Sequence, residues 1–553
     1  MKKVLKYVSI GLLAILLLVA GSITVLYLSA DMGTPKVSVN LNAYQVSADT
    51  NGVRTCKGSY LRKSESGLWE AYLQGDPLSR GVSMGRLSQD LLFYQEKVFV
   101  DQIKEIVPSE SYLKFLRFFT IIFNRNLGEY IPDEYRREIY GISLSCTNEY
   151  NFIGTPYERQ LNYHAAHDIG HTMQEYMLVG CSSFAVWDGK SQDSSLLVGR
   201  NFDFYVGDDF AKNKLISFVN PSSGYKFASV GWAGMVGVLS GMNEAGLTVT
   251  INAAKGDIPT SAAMPISILV REILQYASTI KEAYAIAQKR HTFVSESILI
   301  GSAKDGRAAI IEKTPSQIGL FESGSDRVIC TNHYQSDTFK NDPKNLENIA
   351  NSDSPYRYKR LETLLSGSKP LDPTSAAKIL RDRLGVNGED IGLCNEKSLN
   401  QSIGHHSVIF KPKEGLMWVS TSPWQSGKMV CYNLKKIFAK PDFSRELSDS
   451  KLTIAADTAF IQHDYARVVA FRSLAKQVKK SIGTSIPLNA DSLGRLLAVN
   501  PNMYHTYEQL GNYYHHFNQP DKARIYWQKA LGKEIPRVNE RKAIEKKIKE
   551  LGK

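Results

Sequence analysis

The 553-residue sequence lacks the motifs that mark several common classes of protein. No two of its six cysteines have C-x-x-C spacing, so a zinc site built from thiolates is not expected. It has no zinc-finger spacing, basic zipper, aromatic RNA-binding signature or H-E-x-x-H motif. The formal net charge is +12, most of it beyond Lys451. Without such a motif, we interpret this excess as the surface of a basic helical domain that does not bind nucleic acid.

An apolar run follows the first lysines. Residues 8–28 are about 20 mostly apolar residues, enough to cross a hydrocarbon core of about 30 Å as a helix. A cleavable signal peptide has a shorter run and a stronger small-residue site. We therefore expect an uncleaved transmembrane anchor over residues 1–30, with a cleaved signal as the alternative. The lysines precede the helix, so we expect the catalytic body outside the cytoplasm, on the periplasmic or extracellular face of the membrane. We expect the source to be a bacterium.

Hydrophobic periodicity divides the rest of the chain. Residues 31–180 are predicted to be a mostly helical segment, here called the pro-segment, because 91–107 and 112–124 carry apolar residues at three- and four-residue spacing. From residue 181 to about 445, strands and helices come in blocks, beginning with a hairpin over 182–204. This order favours an α+β fold of two stacked sheets covered by helices, since a parallel βαβ fold would alternate regularly.

Residues 446–553 are predicted to be all helical. Within 504–537, one set of positions matches a tetratricopeptide repeat: Tyr507, Leu510, Gly511, Tyr514, Ala523, Trp527 and Ala530. One such repeat is not stable alone, so it is expected to pack on the preceding helices and could bind a protein partner. An ordinary helical hairpin is the alternative.

The segment Val179-Gly180-Cys181-Ser182 stands where the β-rich region begins. A nucleophilic cysteine needs a nearby base to take its proton. Cleavage of the chain before Cys181 would supply one, because a free α-amine titrates near pH 8 and is partly neutral at neutral pH. Glycine before the cysteine leaves the scissile peptide unhindered. Taken alone, this segment favours a buried structural cysteine at the start of a strand.

Four later motifs change that balance: Gly199-Arg200-Asn201-Phe202-Asp203, Thr250-Ile251-Asn252, Cys330-Thr331-Asn332-His333 and Ser354-Pro355-Tyr356-Arg357. In order and spacing they resemble the N-terminal-nucleophile (Ntn) amidases that include choloylglycine hydrolase, isopenicillin N acyltransferase and, more distantly, acid ceramidase. The likeness covers about residues 60–425. The acyltransferase branch fits best, because it has a pro-segment before Gly-Cys.

The resemblance implies a four-layer αββα core and a site without cofactor or metal. It makes Cys181 the nucleophile and its amine the base, with Asp203 orienting the amine and Arg200 supporting the thiolate. Asn252 and Asn332 would be oxyanion donors, and Arg357 would complete the charged network. From the residues alone, Arg200 and Asp203 could equally form a structural ion pair, the two asparagines could end strands, and Arg360 could replace Arg357.

The function that the resemblance implies is self-processing followed by hydrolysis of a small acyl-amide through a Cys181 thioester. An acyltransferase using the same thioester is an alternative, as is an inactive core that presents the C-terminal helices to a partner. A cysteine protease with a histidine base has no supporting signature. His164, His167 and His171, with Asp168, share a helix face and suggest a metal site as a weaker reading.

Overall fold

The computed structural model describes residues 2–106, 109–172, 178–256 and 262–551. Before Cys181, the elements in chain order are α1 (Lys2–Leu28), β1 (Ser47–Ala48), β2 (Arg54–Cys56), β3 (Ser59–Lys63), β4 (Trp69–Gly75), α2 (Pro77–Leu87), α3 (Gln89–Ile106), α4 (Glu110–Phe123), α5 (Leu127–Tyr130), α6 (Asp133–Ser143), α7 (Pro156–Thr172) and β5 (Leu178–Val179).

The β-rich region follows. Its elements are β6 (Ser182–Asp188), β7 (Ser194–Tyr205), β8 (Leu215–Pro221), β9 (Phe227–Gly231), β10 (Ser240–Asn243), β11 (Leu247–Ala253), α8 (Ile266–Tyr276), α9 (Ile280–Lys289), β12 (Glu296–Ser302), β13 (Arg307–Lys313), β14 (Ile318–Glu322), β15 (Arg327–Cys330), α10 (Pro343–Asn351), α11 (Ser354–Gly367), α12 (Pro373–Leu380), β16 (Gly404–Lys411), β17 (Leu416–Ser420), β18 (Met429–Asn433), α13 (Leu434–Ala439) and β19 (Ser448–Ile454). The C-terminal helices are α14 (Tyr465–Thr484), α15 (Ala490–Val499), α16 (Tyr504–His516), α17 (Pro520–Leu531) and α18 (Val538–Glu550).

Helix α1 is apolar. The side chains that the structure describes over residues 9–26 are exposed, whereas Tyr27 stacks on Phe118. Its segment Ser9–Leu28 has a mean hydropathy of 2.5, and none of that segment is buried against the rest of the chain. By length and composition the helix could cross a membrane, and a signal sequence would meet the same criteria.

The region 47–75 departs from the prediction of a helical pro-segment. Strands β1–β4 join the larger sheet, and β4 runs parallel to β8, from Trp69 opposite Leu215 to Gly75 opposite Pro221. The helical prediction is wrong here. For β4 the reason is that a strand's stability comes from its partners, and β8 lies far away in the sequence. Strands β1–β3 pair in local hairpins that the helical interpretation missed. The helices of the pro-segment begin at α2. Asp76 accepts a hydrogen bond from the Ser79 amide there, and Pro77 occupies the first turn.

Two sheets are formed by the described residues. The order in the larger one is β1-β2-β3-β4-β8-β9-β10-β11-β12-β13-β14, and in the smaller one β15-β6-β7-β16-β17-β18-β19, with β5 paired to β7. Their facing sides share one core, to which Phe218 and Ile310 belong in the larger sheet and Val198 and Val408 in the smaller. The sheets are therefore stacked, as the order of elements predicted.

Helices cover both outer faces. On the larger sheet, alternate residues such as Val249 pack with residues of α2, α6 and α8. On the smaller sheet, Val186 and Ile409 pack with Leu361 of α11 and Ala377 of α12. The layer order is thus helix, sheet, sheet, helix, an Ntn-hydrolase-like α+β architecture.

The smaller sheet extends beyond the boundary predicted at residue 445. Strand β19 pairs with β18, with Met429 opposite Ile454. The helices that follow form a separate apolar core, in which Trp527 is buried. A Cβ on Gly511 would lie 2.3 Å from Trp527 Cδ1, so this glycine allows α16 and α17 to approach closely. That the pair is a tetratricopeptide repeat stays a prediction.

Candidate active site

Cys181 lies directly before β6, at the edge of the core. Strand β6 pairs antiparallel with β7, with Ser182 opposite Asn201 and Ser183 opposite Arg200. The Gly180 amide donates to the carbonyl oxygen of Asp203 at 3.1 Å. The hairpin predicted from the sequence therefore holds the Gly180–Cys181 peptide against the end of β7, and the Cys181 side chain is fully buried.

Arg200 is fixed beside the sulfur. Its Nη2 lies 3.6 Å from Cys181 Sγ and also donates to the Ile251 carbonyl. Its Nη1 donates to Ser240 Oγ. The guanidinium is fully buried and also lies over the Phe202 ring, with its carbon 4.4 Å from the ring centroid. A cation held in this way favours the thiolate form of Cys181.

Asp203 is a buried carboxyl group near this thiol. Within the described part of the chain, neither of its carboxylate oxygens has a hydrogen-bond partner. Burial raises the pKa of Asp203 to about 7, although Arg357 and Arg200 act to lower it. A buried carboxyl group without a partner is costly in its charged form, so this site favours a cation or a proton.

The thiol itself is protonated at neutral pH in the uncut chain. Burial raises the pKa of Cys181 to about 11; the Arg200 charge lowers it, and the charges of Asp203 and Glu296 raise it further. Attack by the sulfur therefore requires that a proton leave as the bond forms.

Asn252 and Asn332 lie together where β11 and β15 end. Asn252 Nδ2 donates to the Cys330 carbonyl at 2.9 Å, and its Oδ1 accepts from Ser183 Oγ at 2.8 Å. Asn332 Nδ2 donates to the Ala253 carbonyl at 2.8 Å. One of the two amide hydrogens of each side chain is therefore used to join these strand ends.

Arg357 connects Asn332 to the nucleophile. Its Nη1 donates to the Cys181 carbonyl at 2.6 Å, and its Nη2 donates to Asn332 Oδ1 at 2.7 Å. Arg360, one helical turn later, pairs with Asp382 at 2.7 Å. Of the two arginines considered from the sequence, the structure thus places Arg357 at Cys181.

Two further residues at the site, Gln401 and Ser240, were missed from the sequence. Gln401 Nε2 donates to the Gly180 carbonyl at 3.2 Å. Ser240 Oγ, which holds Arg200, also lies 2.8 Å from His406 Nε2. Gln401 lies in a loop without a local motif, so no sequence signal marks it. His406 lies next to His405, and burial lowers the pKa of His405 to about 3.

The suggested histidine metal site gains no support. His164 Nδ1 lies 2.7 Å from the Gln160 carbonyl oxygen, and its Nε2 lies 2.9 Å from the Val236 amide nitrogen. One ring nitrogen thus bonds within α7, and the other joins α7 to the backbone of the core at Val236. The side chains of His167, Asp168 and His171 lie outside the described residues.

Residues 187–422 match the family model described as "Acyl-coenzyme A:6-aminopenicillanic acid acyl-transferase". The matched segment contains Arg200, Asp203, Asn252, Asn332 and Arg357, and it begins after Cys181. The β-rich region therefore resembles the Ntn amide hydrolases and related acyltransferases, which confirms the class that the motifs indicated.

Individual relatives are more distant. The chain is 24% identical over 382 residues to an uncharacterized protein of Archaeoglobus fulgidus, covering 61% of this chain and 63% of that protein. It is 21% identical over 197 residues to Protein dcd1B of Dictyostelium discoideum, covering 35% of this chain and 37% of that protein. The chain therefore spans less than two thirds of the length of either relative.

Solved structures with similarity include an N-acylethanolamine-hydrolyzing acid amidase ortholog of Caenorhabditis elegans, at 15% identity and a TM-score of 0.33 over 42% of this chain and 93% of that chain. A conjugated bile acid hydrolase mutant of Clostridium perfringens is 13% identical, with a TM-score of 0.32 over 46% of this chain and 93% of that chain.

Proposed function

We propose that this protein is a self-processing cysteine amidohydrolase that cleaves a linear amide through a Cys181 thioester. The observation that carries the proposal is the buried constellation around the Gly180–Cys181 peptide: Arg200 Nη2 lies 3.6 Å from Sγ, and an unpartnered Asp203 carboxyl group lies nearby. Cleavage of the peptide would create an α-ammonium group near a carboxylate that has no hydrogen-bond partner among the described residues.

In the cut enzyme, each residue has a defined task. The neutral α-amine of Cys181 takes the thiol proton, and Asp203 holds that amine in place. Arg200 stabilises the thiolate while it attacks the amide carbon of the substrate. Asn252 and Asn332 supply amide hydrogens for the oxyanion, each worth roughly 2.7–4 kcal/mol in comparable sites. The protonated amine then gives its proton to the leaving amine, and water hydrolyses the thioester.

The substrate class follows from this chemistry and from the relatives. A thioester mechanism suits an amide that joins an acyl group to an amine or an amino acid. The named relatives act on N-acylethanolamines and conjugated bile acids, and the family model is that of an acyl-transferase. A small acyl-amide is therefore the proposed substrate of this chain.

The test begins with self-cleavage. Wild-type protein should run as two chains on a denaturing gel, and N-terminal sequencing of the C-terminal fragment should start at Cys181. Cys181→Ala should stay uncut, and Cys181→Ser should cut slowly, because a hydroxyl is a poorer nucleophile at this pH. Cys431→Ala, which removes a buried cysteine outside the site, serves as the matched control. An active wild-type enzyme with an intact Gly180–Cys181 bond would refute the mechanism.

Acyl transfer is the second candidate, and the family model favours it. The two reactions share the thioester and differ in whether water or an amine attacks it. Adding an amine acceptor to the cut enzyme and a chromogenic acyl-amide separates them by product analysis. A hydrolase yields mainly the free acid, whereas a transferase yields the new amide. An uncut wild-type chain with no turnover would favour the inactive scaffold that presents its C-terminal helices to a partner.

The proposed location is the outer face of a membrane, with α1 as an uncleaved anchor. The exposed apolar segment Ser9–Leu28 and the lysines before it support this orientation. Protease added to intact spheroplasts should therefore digest the body of the protein, and recovered membranes should retain a fragment containing α1. Full protection of the body would place it in the cytoplasm, and release of the whole protein into the medium would indicate a cleaved signal.

A further inference from the structure

We propose that Gln401 is a catalytic residue for cleavage of the Gly180–Cys181 bond, acting as the oxyanion donor to the Gly180 carbonyl oxygen. This inference rests on the self-processing function proposed above. Gln401 is 2% exposed, and its Nε2 lies 3.2 Å from that oxygen. It therefore already contacts the atom on which negative charge would develop.

Gly180 has no side chain, and this leaves room for the Gln401 carboxamide. A Cβ at residue 180 would lie 2.5 Å from Gln401 Nε2, a distance that real side chains do not adopt. The Gly180 amide, on the other side of the residue, is held by the Asp203 carbonyl at 3.1 Å. The glycine before the nucleophile thus lets the carboxamide reach the scissile carbonyl, in addition to leaving the peptide unhindered.

The loop that carries Gln401 is held on both sides of it. Asn201 Nδ2 donates to the Leu399 carbonyl at 2.8 Å, and Arg472 Nη2 donates to the Ser402 carbonyl at 2.7 Å. Asn400 Oδ1 accepts from the Ser402 amide at 3.0 Å. A donor fixed before the reaction stabilises developing charge without reorganising.

The reaction that this donor would assist is an N-to-S acyl shift. Sγ of Cys181 bonds to the Gly180 carbonyl carbon, and the carbonyl electrons move to its oxygen, where Gln401 donates. The carbon–nitrogen bond then breaks, and the Cys181 nitrogen keeps the bonding pair and gains the thiol proton. Water adds to the resulting thioester, which leaves a Gly180 carboxylate, returns one proton to sulfur and gives the second proton to the Cys181 amine as an α-ammonium group.

The other candidate donors have different acceptors. The side-chain amides of Asn252 and Asn332 donate to the Cys330 and Ala253 carbonyls, at 2.9 and 2.8 Å. Among the described residues, the side chain that donates to the Gly180 oxygen is that of Gln401. The asparagines and Gln401 would thus serve different acyl carbons, the former that of the substrate and the latter that of the chain itself.

The experiment follows cleavage with time in full-length protein from cells or from a cell-free synthesis reaction. We expect Gln401→Leu to cut about 10²–10³-fold more slowly than wild type, the usual loss for one oxyanion donor. Gln401→Glu keeps the shape and, once ionised, has no hydrogen to donate, so it should also be slow at a pH above the pKa of the new carboxyl group. Gln335→Leu, which removes a carboxamide bonded to the Ile329 carbonyl at 2.8 Å, is the matched control and should cut normally.

Each outcome has one meaning. Folding is checked by thermal melting of each variant combined with Cys181→Ala, and the Glu variant provides the answer if the Leu variant does not fold. Cleavage of both folded Gln401 variants at the wild-type rate would overturn this inference and leave the proposed function intact. An uncut wild-type chain would overturn both.

Discussion

At the residue scale, the site of the uncut chain contains buried charged groups, but the nitrogen of Cys181 carries no positive charge. Burial lowers the pKa of Arg200, raises that of Asp203 to about 7 and raises that of Cys181 to about 11. In the uncut chain the nitrogen of Cys181 is a neutral amide, so the Asp203 carboxylate has no positive group of the nucleophile to face. A free α-ammonium group at residue 181 would remove this imbalance. Cleavage is therefore expected to stabilise the ionised form of Asp203.

Asp203 should make the uncut precursor less stable as the pH rises. A carboxyl group whose folded pKa is raised stabilises the folded state most below its unfolded pKa near 4, and this contribution disappears as the pH rises through about 7. In a Cys181→Ala background, Asp203→Asn should therefore raise stability at pH 8 by roughly 2–4 kcal/mol relative to its effect at pH 4. Melting temperatures of both proteins between pH 4 and 8 measure this difference. A difference that does not change with pH would mean that Asp203 is ionised in the precursor without penalty.

At the element scale, helix α11 carries two arginines with different tasks. Arg357 is fully buried and reaches the Cys181 carbonyl, Ser182 Oγ and Asn332 Oδ1. Arg360 faces Asp382. A planar guanidinium can reach several acceptors at once, whereas a lysine ammonium on the same helix cannot reproduce that geometry.

Arg357→Lys should therefore impair chemistry more than Arg360→Lys. The first variant keeps the charge but loses the multiple contacts, and we expect a fall of about 10²-fold in self-cleavage or turnover, since small misplacements of reacting groups have effects of that size. Arg360→Lys keeps a cation opposite Asp382 and should stay within a few-fold of wild type. The measurements are the cleavage time course and kcat of the cut enzyme. Equal losses in the two variants would assign Arg357 a purely structural task.

Comparison of particular elements shows what the sequence can predict. The β6–β7 hairpin follows from a local pattern, and the structure confirms it. Strand β4 depends in part on the distant β8 for its hydrogen bonds, which no local pattern shows. Strands β1–β3 pair in local hairpins, and the helical interpretation missed their short runs. Six site residues were named from motifs, and the structure places them around one peptide. Gln401 could not be named, because its position results from loop packing and not from a local pattern.

At the scale of the whole molecule, the C-terminal region forms hydrogen bonds with the loop that carries Gln401. Asn500 and the backbone of Leu393 exchange two hydrogen bonds, of 2.9 and 3.0 Å. Arg472 of α14 donates to the Ser402 carbonyl at 2.7 Å, next to Gln401. Every candidate catalytic residue named from the sequence precedes the region beyond residue 451. The structure gives it a supporting position, and a chain ending near residue 440 would also lose β19.

Arg472→Gln is therefore expected to slow self-cleavage although it lies far from Cys181 in the sequence. The variant removes the charged donor to the Ser402 carbonyl. It also removes the ion pair with Asp208, in which Arg472 Nη1 lies 2.6 Å from Asp208 Oδ1. Loss of a charge-assisted hydrogen bond costs about 1.5–3 kcal/mol, and freedom of the loop would displace the Gln401 amide from the Gly180 oxygen. We expect cleavage to slow by about tenfold or more, within the range that small displacements produce.

The control for this variant is Arg495→Gln on helix α15, an exposed arginine whose replacement makes the same change in net charge. Both proteins are followed by the same gel time course, and melting of their Cys181→Ala versions measures any loss of overall stability. If the loop contact matters, the double variant of Arg472→Gln with Gln401→Leu should cut no more slowly than Gln401→Leu alone, because the contact acts through the Gln401 amide. Additive losses in the double variant would show that Arg472 acts on the site by another route.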